Sequence, residues 1–123
     1  MFFMSFQVFA GKVGYTRYEF GQIFQIYSQN VYSGLFRDFS FTEVNDHYFI
    51  SFRTEAGQAP LINIEKRRLG PDRSLFVATT PGQHGQVEIV RSEKIDAFTA
   101  KLKDEIAVLR EGGTAKKSLR VVS

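Results

Sequence analysis

The sequence predicts an α+β domain: an antiparallel meander sheet of four to six strands with two helices packed on one face. Three observations carry this expectation. An amphipathic helical stretch lies near each end of the chain, at residues 16–34 and 92–112. Between them run short segments of alternating residues separated by brief turns. Such turns join antiparallel strands, because parallel pairs need long crossovers. Each helix also carries a single apolar stripe, which a sheet can cover.

In residues 1–9, Phe2, Met4, Phe6 and Val8 alternate with Phe3, Ser5 and Gln7. An aromatic anchor for a partner would use such a run. The period of two favours an N-terminal strand that completes the sheet. The run has neither the basic opening nor the small-residue cleavage site of a secretory signal. Gly11 and Gly14 then flank a turn.

The first helix has the clearest signals. Thr16 and Glu19 stand at capping-box spacing, and Tyr15 and Phe20 at the spacing of a hydrophobic staple. Phe20, Ile23, Phe24, Tyr27 and Val31 share one face. Gly34 sits where a left-handed terminating residue is wanted. Gln22, Gln25, Gln29 and Asn30 make the other face polar but uncharged.

Strands follow at 37–41, with Phe39 and Phe41 on one side, and at 47–53, with Tyr48, Ile50 and Phe52 together. Asn45-Asp46 turns one into the other as a hairpin. Further strands are expected at 61–66, 74–79 and 87–91, separated by turns at 69–72 and 81–85. The second helix starts from Ser92 as N-cap, with Glu93 and Asp96 in its first turn. Ile95, Phe98, Leu102, Ile106 and Leu109 form its stripe, and Gly112-Gly113 ends it. That stripe resembles a short coiled-coil seam, but covering the domain's own sheet is the simpler use. Residues 1–112 are expected to form one domain and 113–123 a mobile basic tail.

Composition narrows the chemistry. With no Cys in 123 residues, disulfide scaffolds, thiolate zinc sites and cysteine nucleophiles are excluded. Two His make a His-rich metal centre a poor expectation. No apolar run approaches the length of a membrane span. No nucleophile elbow, phosphate-cradling loop or paired zinc ligands are present. No cofactor, no metal and no membrane association are expected, and the expected compartment is the cytoplasm. Eighteen Phe and Tyr exceed what a core of this size commonly needs, which points some of them to a self-association or partner surface.

The polar positions of interest lie in the strands. His47 and His84 read as exposed loop histidines, since no motif surrounds either. Asp38 stands beside Arg37, and Glu65 beside Lys66. Cross-strand ion pairing on the solvated face is the plainer account of both carboxylates. Lys66, Arg67 and Arg68, with Arg73 across a turn, form a basic cluster, and Arg37, Arg53 and Arg91 share the sheet region. With Tyr48 and Phe49 interleaved, such a face would suit single-stranded nucleic acid. Residues 37–91 nevertheless hold seven cations and seven anions, a poor balance for tracking phosphates.

These residues also carry a resemblance. Arg17-Tyr18-Glu19-Phe20 with Ile23 and Tyr27 comes first, then Gly34-Leu35-Phe36-Arg37-Asp38-Phe39. Phe49, Phe52 and Arg53 follow, and then Pro60-Leu61 with Ile64-Glu65-Lys66. In order and spacing, residues 17–103 resemble a small alphaproteobacterial family of uncharacterised proteins. The N-terminal aromatic strand is extra to that pattern, and residues 69–74 are less basic than it. The resemblance implies a fold and a bacterial cytoplasm, and no activity. It singles out Arg37, Asp38, Arg53, Glu65 and Lys66, whose role is either a site or a buried ion network holding the sheet to the first helix.

The expected function is a non-enzymatic interaction or regulatory module that binds a protein partner or a second copy of itself. Nucleic-acid binding stands second. The candidate binding residues are Arg37, Asp38, Arg53, Glu65, Lys66, Arg67, Arg68 and Arg73. An enzyme pairing Asp38 or Glu65 with His47 is a third expectation, and it requires those groups to converge on a pocket.

Overall fold

The computed structural model describes residues 14–45 and 47–112. The expected N-terminal strand and basic tail lie outside the described residues. The elements are α1 (Arg17–Val31), β1 (Asp38–Val44), β2 (His47–Arg53), β3 (Ile62–Gly70), β4 (Arg73–Gly82), β5 (Gly85–Ser92) and α2 (Ile95–Arg110). The five strands form one antiparallel sheet in sequence order, β1-β2-β3-β4-β5. This is the predicted α+β meander.

Both strand alternation and ring packing place the two helices on the same side of the sheet. Phe39, Phe41, Ile50, Phe52, Ile62, Ile64, Phe76, Ala78 and Val90 face the helices and build the core with them. From α1 come Phe20, Ile23, Ile26 and Tyr27, and from α2 come Phe98, Leu102 and Ile106. Ring pairs such as Phe20–Phe39, Tyr27–Phe52 and Phe76–Phe98, with centroids 5.8, 5.4 and 5.7 Å apart, join layer to layer. The helices run parallel, side by side. Tyr18 donates to Asp96 at their N-terminal ends, and Arg110 donates to Asn30 at their C-terminal ends.

The expected aromatic surface is mostly interior. Of the described Phe and Tyr, seven are buried, and Phe24, Phe39, Phe41 and Tyr48 pack against the core. A small two-layer domain has one core, and here rings fill much of it.

The capping box of α1 forms as predicted: Thr16 accepts from the Glu19 backbone at 3.0 Å, and Glu19 accepts from the Thr16 backbone at 2.9 Å. The stripe differs at its end. Val31 is exposed, while Ile26 and Asn30 are buried. Asn30 tolerates burial because its amide donates to the Ile26 carbonyl and its carbonyl accepts from Arg110.

The second helix begins at Ile95, with Lys94 rather than Ser92 at the N-cap. Ser92 is taken by the sheet, where it pairs with Phe76. Its hydroxyl accepts instead from the Lys94 backbone at 3.1 Å. The hairpins are tighter and the strands longer than expected. Gly70 pairs with Arg73 and Gly82 with Gly85, so two residues suffice for each turn. Asn45 turns the first hairpin with a positive φ of 50°.

Candidate functional site

The side of the sheet away from the helices carries the polar side chains. Register brings Asp38 beside Arg53, Phe49 beside Glu65, and Glu65 beside Val77, which pairs with Arg91. His47 pairs with Arg67, which pairs in turn with Leu75. Leu75 and Val77 are only 8% and 5% exposed, although they stand outside the core cluster. Their register neighbours are Arg67, Glu65 and Arg91, whose long stems are of the kind that covers apolar surface.

The cations on this face are held by acids. Arg53 contacts Asp38 at 3.4 Å and donates to the Ser40 hydroxyl at 2.6 Å. Arg67 donates twice to Glu65, at 3.1 and 3.3 Å. Arg73 forms a bidentate pair with Glu93, and Arg91 one with Glu88. The cross-strand pairing expected of Asp38 is present, with Arg53 rather than the adjacent Arg37. Nothing in this arrangement favours nucleic acid, since a guanidinium already bonded to a carboxylate must give it up to take a phosphate.

One corner has chemistry of its own. Alternation sends Glu65 away from its neighbour Lys66, and its carboxylate meets His47 Nδ1 and Arg67 instead. Partial burial alone would push the Glu65 carboxyl upward. The hydrogen bonds from Arg67 and His47 outweigh it and hold the group below the ordinary carboxylate range. The His47 ring lies nearly parallel to Phe49, 6.5 Å between centroids and 18° between planes. His47 opens β2, as the strand expected at 47–53 has it, but the exposed histidine of the sequence reading is half-buried, between Glu65 and Phe49. An open hollow of about 370 Å³ adjoins it, lined among the described residues by His47, Arg68, Leu69, Gly70 and Pro71.

The eight candidate residues therefore do not form one site. Glu65 and Arg67 gather around His47, Arg68 alternates to the helix side of the sheet at the same end of β3, and Asp38 and Arg53 pair nearer the other end of the strands. Arg73 turns to Glu93, and Arg37 stands exposed before β1. Lys66 faces the core, 5% exposed. Its amine donates to Glu19 at 2.6 Å and to the Gly14 carbonyl at 2.9 Å, near the rings of Tyr15 and Phe76. This pair ties β3 to the start of α1. Of the residues thought able to pair in catalysis, His47 and Glu65 converge beside a hollow, and Asp38 does not. His84 stays exposed in its turn.

Among the described residues, no group of three or more metal-ligating side chains is suited to hold a metal ion. No helix of the described residues is long and apolar enough to cross a membrane.

Residues 13–95 match the family described as protein of unknown function (DUF2794). The chain belongs to that family. The DUF2794 match spans α1 and all five strands, and so includes the His47–Glu65 corner and the Lys66–Glu19 tie. No curated protein matches the chain, and no solved structure matches it.

Proposed function

We propose that this DUF2794 protein is a non-enzymatic interaction module that pairs with a second copy of itself through β1, which is the outer strand of the described sheet and is exposed at Thr42, Glu43 and Val44. The observation that carries this is the regularity of that edge. All seven residues of β1 are in unbroken register with β2, and the strand holds no Pro, Lys or Arg. Exposed edges are ordinarily blunted by such residues or by bulges. The opposite edge, β5, has a bulge where Ile89 falls between the paired residues Glu88 and Val90. Among the described residues, β1 has no such device.

Recognition is favoured over catalysis because the described walls of the hollow offer an oriented imidazole but no hydroxyl or amine nucleophile.

Light scattering coupled to size exclusion tests this across micromolar to submillimolar protein. A concentration-dependent dimer is expected for the natural chain. Thr42→Lys places a charge on an exposed edge position and is expected to give a monomer with unchanged melting temperature. A natural chain that stays monomeric, or a Thr42→Lys chain that dimerises equally well, sinks the proposal.

A further inference from the structure

Proteins protect a sheet edge in two ways: they blunt it with charges, Pro or bulges, or they cover it. β1 has none of the blunting devices. The sequence holds a segment with the length and pattern to cover it. Residues 2–8 match the seven residues of β1 in length. They alternate, with Phe2, Met4, Phe6 and Val8 on one side and Phe3, Ser5 and Gln7 on the other. They hold no Pro, no Gly and no charged side chain.

Gly14, the first described residue, fixes where this stretch joins the fold. Its carbonyl accepts from Lys66, and a Cβ on it would lie 2.5 Å from the Tyr48 ring. Tyr48 is the register partner of Glu43, the last residue but one of β1. The chain thus enters on the helix side, next to the C-terminal end of β1. A strand that leads into this point along β1 runs parallel to it. Parallel neighbours need a long crossover, usually a helix, and α1 with its flanks is such a connection.

We infer that residues 2–8 seat on β1 of their own chain and compete there with the second copy. This rests on the reading of β1 as the pairing strand and adds what regulates it. Phe2, Met4, Phe6 and Val8 continue the helix side of β1, where Phe39 and Phe41 lie against Phe20. Ser5 and Gln7 continue its polar side, with Ser40 and Thr42. A segment tethered through residues 9–13 acts at an effective concentration of roughly millimolar. It holds the edge at micromolar protein and yields it as protein concentration rises. The dimer is weakened by the fraction of chains whose edge is covered.

The tests use the full chain. With no Cys present, Ser5→Cys gives one attachment point for a nitroxide, on the polar side of the segment. At dilution, where the chain is monomeric, the label is expected to broaden the amide signals of β1 and to leave those of β5 sharp. Phe6→Lys puts a charge into the apolar side. It is expected to release the segment, so that β1 amides exchange faster and the dimer tightens about tenfold in light scattering. Gln7→Lys places the same charge one residue on, on the polar side, and is expected to match the natural chain in both readouts. Broadening of β5 in place of β1, or equal dimer constants for Phe6→Lys and Gln7→Lys, overturns the inference. The two readings fail separately. A natural chain that dimerises with β1 unbroadened sinks the competition and leaves edge pairing intact. Broadening of β1 in a chain that stays monomeric even as Phe6→Lys sinks edge pairing, and the competition with it, while the seat of the segment on β1 stands.

Discussion

Lys66 is the residue whose role changes most between sequence and structure. In sequence it sits in a basic run; in space its amine is enclosed by Glu19, the Gly14 carbonyl and two rings. An ammonium survives burial only when paired and hydrogen-bonded, and both conditions are met. Lys66→Met leaves Glu19 partly buried without its partner, so a loss of about 3 kcal/mol is expected in urea unfolding. A loss within experimental error would show that the pair contributes nothing beyond its own desolvation. Glu65 makes a second prediction, in pH. Its carboxyl is held below the ordinary range when folded, mainly by Arg67 and His47 acting against burial. Stability from this group is therefore complete above the unfolded carboxylate value and is lost as pH falls through the folded one. Melting temperature is expected to fall more steeply with acid in the natural chain than in Glu65→Gln. Parallel curves would mean that the carboxylate has no differential interaction in the folded state.

At the scale of elements, α1 was legible because its signals are local. A capping box needs only Thr16 and Glu19, four residues of sequence that contain both donor and acceptor. Thr16→Ala is expected to cost about 1 kcal/mol. Glu19→Ala should cost more, because the same carboxylate oxygen serves the cap and Lys66. Equal losses in thermal or urea melts would separate the cap from the Lys66 tie. The start of α2 was not legible for the converse reason. Ser92 is a good cap in isolation, yet the β4–β5 ladder claims it through Phe76, a residue sixteen positions earlier. The ion pairs follow the same logic. Sequence places Glu65 next to Lys66, but alternation sends them to opposite faces, and only the β2–β3 register brings His47 within reach. The signal that would have found this corner was the period of two in residues 62–67, carried across the hairpin. Gly14 shows how far such long-range contacts reach. Its φ of 80° and the Tyr48 ring, which a Cβ would approach within 2.5 Å, both exclude a side chain. Gly14→Ala is accordingly expected to destabilise by about 2 kcal/mol or more, read as a drop in melting temperature.

Across the whole molecule, charge and shape point the same way. Two parallel helices, clasped at both ends by Tyr18–Asp96 and Asn30–Arg110, use up one face of the sheet. The other face is roofed by arginines that are already neutralised. The formal charge of +3 arises elsewhere. Lys116, Lys117 and Arg120 account for three of the sixteen cations, leaving thirteen against thirteen acids in residues 1–112. Any retention on single-stranded DNA should then come from residues 113–123 and should weaken steeply with salt. Counterion release sets the scale: three contacts give a slope of about −2 in a log–log plot of affinity against salt for a single strand. Changing Lys116, Lys117 and Arg120 together to Gln is expected to bring that slope to about zero, while leaving the melting temperature unchanged. The opposite outcome is equally readable. If the triple variant keeps its salt-dependent binding, then cations of the folded body take the phosphates, whether the exposed Arg37 and Arg68 or sheet arginines that have released their carboxylates.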